Sequence, residues 1–198
     1  PLTVANVRAA SFGDTLANVF KKAGYKVTKE YYINDAGNQV RLLGESVARK
    51  YLRLKGKSIE FPENLYQGEY ITDIAKEIEE KGIVTEDENF DNLVLVCKDY
   101  AINKLLASAK KSLESLGVSF DVWFSEKNLY DGGEVEDTLK ILDKGKKIYE
   151  KDGAKWLKID DSGENDAVVV KSDGSKSYLM GDIAYTRNKF VRDFDKAI

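Results

Sequence analysis

The sequence predicts an α/β fold of the doubly wound kind, and three observations carry that reading. Apolar residues recur at helical spacing near the start, a β-branched and aromatic run follows, and a second periodic stretch comes after a short joint. Helix, strand and helix joined closely in this order build a sheet covered by helices. The 198 residues are 42% apolar and 33% charged, enough to bury a core in one large domain or two small ones.

The first element runs from Leu2 to about Ala23. Val4, Val7, Phe12, Leu16, Val19 and Phe20 keep the helical period, "KK" makes the last turn basic, and Gly24 stops it. "KVTKEYYIN" reads as a strand whose last part, Tyr31 to Ile33, is expected to be buried. "DAGNQVRLLGESVARKYLRLKG" then runs as a helix to about Lys55, with Asp35 as its cap.

"FPENLYQGEY" is a turn-rich connection, and "YITDIAKEIEEKG" is a short amphipathic helix ended by Gly82. A long helix is predicted over "DNLVLVCKDYAINKLLASAKKSLESLG". After it come the strand "SFDVWFSE", a helix in "EVEDTLKILDKG", and three short strands, "KKIYE", "AKWLKI" and "AVVVKS", divided by Gly- and Asp-rich turns. These local strands read as an antiparallel insertion, after which "YLMGDIAYTRNKFVRDFDKAI" forms a terminal helix.

Composition excludes several chemistries. The chain has no histidine, which removes the commonest general base and zinc ligand. The single cysteine, Cys97, cannot form an internal disulfide and reads as a small core residue. No apolar run is long enough for a membrane span, and no leader precedes the first helix, so the expectation is a cytoplasmic protein with no membrane partner. The net charge of −3 hides an asymmetry: residues 1–59 carry 11 Lys/Arg against four Asp/Glu, and residues 60–99 carry three against 12. A basic first third suits a phosphate-bearing ligand and the acidic block repels one, although solvated helix faces produce such runs too.

The first helix begins with a pattern that suits phosphate. A helix N-terminus offers unpaired N–H groups and a positive dipole end. Thr3 and Asn6, three apart, lie on one face of the first turn and can add neutral donors there. The structural alternative is that Thr3 caps the helix while Asn6 stays solvated.

"EYYINDAGNQ", together with "RAASFGDTLANVFKKAGY", "YQGEYITDIA", "GVSFDVWFSE", "KDGAKWL", "VVVKSDGSKSYLMGDIAYTRNKF" and "FDKAI", in this order, resembles the arginyl-tRNA synthetases, which are class I aminoacyl-tRNA synthetases. The likeness extends over essentially the whole chain. It implies a Rossmann-like core of the nucleotidyl-transferase type with an inserted α+β subdomain. The expected division is residues 1–60 as the first part of the core, 61–165 as the connective insertion, and 166–198 as the return to the core. It further implies ATP, with Mg2+, and arginine as substrates and tRNA(Arg) as partner.

Residue by residue, the family's His-x-Gly-His nucleotide motif falls on Thr3, Val4, Ala5 and Asn6. Thr3 and Asn6 stand where two imidazoles meet the ATP phosphates, and Ala5 stands where a glycine lets adenine approach. Neither Thr3 nor Asn6 can carry the positive charge that an imidazole can. Two readings follow: a lineage working with uncharged donors, or a copy damaged for adenylation. Tyr178 and Asp182 match the family positions that hold the arginine guanidinium; the alternative for Asp182 is a cap on "IAYTRNKF". Asn34 and Gln39 are weaker site candidates. Tyr66, Gln67 and Tyr70 read as packing residues or as stacking platforms for a tRNA end. No metal ligands are expected.

The resemblance also implies flanking pieces: a strand before Pro1, a second ATP loop, and an anticodon-binding domain after Ile198. The chain is therefore expected to be an internal slice of the catalytic region, inactive in aminoacylation by itself and prone to self-association through an exposed sheet edge. Two further readings remain, a non-catalytic α/β scaffold and a paralogous class I synthetase for another amino acid.

Overall fold

The computed structural model describes residues 2–85, 89–160 and 162–198; the opening proline of the sequence pattern and one aspartate of the "DDSGEND" turn lie outside them. Two compact units result, Pro1–Phe124 and Ser125–Ile198.

In the first unit the elements are α1 (Val4–Lys22), β1 (Glu30–Ile33), α2 (Gly37–Leu54), α3 (Glu69–Glu80), α4 (Phe90–Ser115) and β2 (Val122–Ser125), whose last residue is the junction. β1 and β2 pair in a two-stranded sheet. The core is built by the faces of three helices. Leu43, Val47 and Tyr51 of α2 meet Ile71, Ile74 and Ile78 of α3 and Leu93, Cys97 and Ala101 of α4. Cys97 is fully buried, as its apolar surroundings in the sequence imply.

α2 and α4 touch closely because residue 44 is glycine. A Cβ there would stand 2.6 Å from both Lys98 Cβ and Val94 O. Above this contact, Ser46 donates to Leu42 O at 2.6 Å and accepts the Tyr66 N–H at 2.9 Å, which fastens the 60–68 connection to α2. Tyr66 O–H reaches Gln39 Oε1 at 2.7 Å, and Gln67 Nε2 bonds Pro62 O and Leu65 O. Tyr66 and Gln67 thus organise their own loop, and Tyr70 packs half-buried on the core.

α1 behaves differently from its apolar period. Of its residues only Ala17 is buried, while Val4, Phe12 and Val19 are 87%, 70% and 59% exposed. Its firm attachment is polar: Asp14 accepts from Lys29 Nζ at 2.6 Å, and Lys29 Nζ also donates to Ser119 Oγ at 3.2 Å.

The second unit holds α5 (Glu126–Asp131), α6 (Glu134–Lys144), β3 (Ile148–Lys151), β4 (Ala154–Leu157), β5 (Ala167–Val170) and α7 (Tyr178–Val191). The three strands form the antiparallel meander expected, in the order β3-β4-β5, with Ile148 opposite Leu157 and a register shift at Lys155/Trp156 in the β4–β5 pair. Leu129, Val135, Val169, Met180 and Ala184 are buried at 1% exposure or less. Asn188 of α7 donates to Glu134 of α6 at 2.7 Å.

Several expectations need correction. Both long strand predictions shorten, to start at Glu30 and Val122, and Tyr31 to Ile33 are half-buried. Asp35 does not cap α2: the cap is Ala36, with no side-chain bond. Gly37 takes φ +79°, so the chain turns in a left-handed residue between Asp35 and the helix axis. Asp182 is not a cap either, because Ser177 accepts the Met180 N–H at the start of α7. The sequence reading also missed α5, which begins at Glu126, the last residue assigned to the strand.

Two glycine substitutions separate the roles of their positions. Gly44→Ala is expected to lower the unfolding free energy by about 1–3 kcal/mol through overpacking of α2 on α4. Gly13→Ala, on α1 with nothing within 4 Å of the new methyl, should raise it by about 0.5–1 kcal/mol. Urea unfolding of both variants beside the parent decides this.

Candidate nucleotide and amino acid sites

At the start of α1, Thr3 and Asn6 form a reciprocal capping box. The Asn6 N–H donates to Thr3 Oγ1 at 3.2 Å and the Thr3 N–H donates to Asn6 Oδ1 at 3.0 Å. The Thr3 hydroxyl also donates to Asn6 Oδ1, at 2.7 Å. Asn6 is therefore not simply solvated: its oxygen serves two donors, while none of these bonds uses its Nδ2. The N–H groups of Val4 and Ala5 have no acceptor within the helix, and no acidic residue stands in the first turn. The local field favours an anion.

Asn6 lines a cavity of about 270 Å³ in the first unit, shared with Leu2, Tyr31, Tyr32 and Asn34 and closed by apolar side chains of α2 and α4. Asn34 is placed there because it follows directly on β1, at a strand's carboxyl end, where ligands bind in open α/β sheets. The ring of Tyr31 stacks on Trp123 at 4.5 Å and meets Phe120 edge-on at 5.2 Å, and burial pushes its phenol above the ordinary value. Gln39 lies elsewhere, engaged by Tyr66. Ala5 is exposed on the first turn of α1.

The second set of candidates is in the second unit. Tyr178, 74% exposed, is the first residue of α7, and Asp182 follows one turn later on the same face. Asp182 is exposed and has no ion pair among the described residues. Beside it, Glu126 Oε1 lies 3.5 Å and Tyr130 Oη 3.6 Å from the position a Cβ on Gly181 would take. Glu126 is only 8% exposed. The Tyr130 phenol is pushed up, first by burial and then by the negative charge of Glu126 and of Asp182. Two carboxylates thus share one neighbourhood, a setting suited to a cation.

Sequence reasoning missed Glu126. The signal was present, an acid closing an apolar strand at its carboxyl end, but taking "SFDVWFSE" as all strand hid the turn into α5. Among the described residues no group of three or more His, Cys, Asp or Glu converges on a metal position.

Helices around a short sheet, an anion-favouring helix start and a carboxylate pair suit a class I synthetase core. The family profile described as "tRNA synthetases class I (R), catalytic domain" matches residues 1–198, and the chain belongs to this family. Among curated relatives, the arginine–tRNA ligase of Oceanobacillus iheyensis is 44% identical over 199 residues and that of Acetivibrio thermocellus 48% over 207; each match covers 100% of this chain. The chain spans 36% of the length of each. A solved structure from Campylobacter jejuni assigned to arginyl-tRNA synthetase superposes with a TM-score of 0.82 at 38% identity, covering 99% of this chain and 43% of that one. Thermus thermophilus arginyl-tRNA synthetase, at 20% identity and a TM-score of 0.65 over 93% of this chain and 33% of that one, shares the fold.

The tether between Asp14 and Lys29 makes a pH prediction. Hydrogen bonding to Lys29, the largest cause, holds the Asp14 carboxyl below its ordinary value of 3.8. A lowered folded-state pKa means stability that is present above the ordinary carboxylate range and lost as pH falls through the folded value. Asp14→Asn should therefore lower the urea midpoint at pH 7, and the difference from the parent should shrink as pH falls below about 4. A constant difference down to pH 2 would contradict this.

Proposed function

We propose that this chain is the part of an arginine–tRNA ligase that recognises arginine and holds one side of ATP. The parent reaction joins arginine to the α-phosphate of ATP with loss of pyrophosphate, then passes arginine to tRNA(Arg) with release of AMP. The observation that carries the reading is that buried Glu126 and exposed Asp182, one turn from Tyr178 on α7, both act on the Tyr130 phenol. A planar guanidinium offers five donors and needs carboxylate forks and phenolic oxygens, which this neighbourhood supplies.

On the nucleotide side, the Asn6 Nδ2 and the free N–H groups of the first turn of α1 are the donors for ATP phosphate oxygens, with Thr3 organising the turn and Ala5 beside the adenine. Asn34 lines the same cavity as Asn6. Mg2+ is read as arriving with ATP, held by phosphate and water oxygens. We read residues 1–60 and 166–198 as catalytic core and 61–165 as a connective insertion, in a protein that works in the cytoplasm.

Calorimetry with the 198-residue chain tests both halves. Asp182→Ala should abolish arginine binding, or weaken it at least about tenfold for the lost charged hydrogen bonds, with ATP affinity unchanged. Asn6→Ala should weaken ATP and leave arginine alone. Arginine binding that survives Asp182→Ala, or a preference for another amino acid, would sink the arginine assignment. Arginine binding without any ATP binding or pyrophosphate exchange would favour the non-catalytic reading, for which the internally satisfied Thr3 hydroxyl is the supporting observation.

A further inference from the structure

The charges of two carboxylates, Glu126 and Asp182, act on Tyr130. Its hydroxyl oxygen and Glu126 Oε1 are 3.6 and 3.5 Å from one point above Gly181, and Asp182 is close enough for its charge to act on the phenol. Residue 181 carries no side chain, so this space is left to Glu126 and Tyr130.

A phenol beside two carboxylates keeps its proton at neutral pH, the direction in which its surroundings push it. Its oxygen lone pairs are then able to accept a hydrogen bond. The arrangement distinguishes cations by shape. A guanidinium spreads five N–H groups in a plane and gains from a third acceptor beside two carboxylates. An ammonium is a compact, strongly hydrated head that one carboxylate and water satisfy.

We infer that Tyr130 is a specificity-determining residue for arginine over lysine, its oxygen accepting a guanidinium N–H beside the carboxylates of Glu126 and Asp182. The inference rests on the arginine assignment of Tyr178 and Asp182.

The test is Tyr130→Phe, which removes one half-exposed oxygen and leaves the ring packing intact. Arginine and lysine affinities are measured by calorimetry and competition for the parent, Tyr130→Phe and Asp182→Ala, with thermal unfolding of each. Arginine affinity of Tyr130→Phe should fall about tenfold, as for one hydrogen bond to a charged group. Lysine binding should stay as weak as in the parent, and the unfolding midpoint should not move. Unchanged arginine affinity, or arginine and lysine affinities falling together with the midpoint, would overturn the role given to Tyr130. Loss of binding in Asp182→Ala without an effect of Tyr130→Phe would reject this inference alone. A parent chain that binds arginine no better than lysine would reject the site and the inference together.

Discussion

The first unit depends on Lys29. Its N–H donates to Asp121 Oδ2 at 2.7 Å, its carbonyl accepts the N–H groups of Asp121 and Val122, and its Nζ reaches Asp14 and Ser119. One residue therefore joins α1, the start of β1 and the approach to β2. The polar route is needed because α1 leaves Val4, Phe12 and Val19 exposed and has little apolar attachment of its own. Both side chains of the Asp14–Lys29 pair are only 12–15% exposed, so their attraction is less screened than that of a surface pair. Fixing α1 against β1 is also what brings Asn6 and Asn34 to one cavity.

The far wall of that cavity depends on the α2–α4 contact. Gly44 lets the helices approach, and Leu43 on α2 and Ile102 on α4 then close the space behind Tyr31 and Tyr32. The cavity beside the exposed start of α1 thus has an apolar far wall. In the second unit the same division holds. Buried Met180 and Ala184 anchor α7, which leaves Tyr178 and Asp182 exposed.

Much of this was legible in the sequence because its signals are local. The 3.6-residue period placed the helices, and Gly- and Asp-rich turns separated β3, β4 and β5. Thr3 and Asn6 were visible as a pair because residues three apart share one face of a helix, but the sequence pattern assigned the cap to Thr3 alone and did not show Asn6 closing the box. What escaped depends on partners distant in sequence or on single backbone angles. β1 begins only at Glu30, because the preceding bonds of Lys29 go to a side chain and to residues 92 and more positions away. Asp35 looked like a cap until Gly37 turned left-handed, and the apolar stripe of α1 predicted a helix correctly without saying whether that face would be covered.

The capping box bears on how uncharged residues can handle phosphate. For the Thr3 hydroxyl to donate to a phosphate oxygen it must release Asn6 Oδ1, which is 2.7 Å away and already holds the Thr3 N–H. The cap itself is kept, since Thr3 Oγ1 can still accept the Asn6 N–H and Asn6 Oδ1 the Thr3 N–H, so the cost is one side-chain hydrogen bond. Asn6 gives up no bond of the box, because none of them uses its Nδ2. On the proposed ATP assignment the two positions are therefore unequal: Thr3 would exchange one bond for a phosphate contact and Asn6 none. On that assignment both side-chain donors are neutral, so at this end of the site phosphate charge would be met by dipoles, from Nδ2 and from the N–H groups of Val4 and Ala5. Such dipoles help only if their directions are fixed beforehand, and the box, with α1 held by Lys29, is what fixes them.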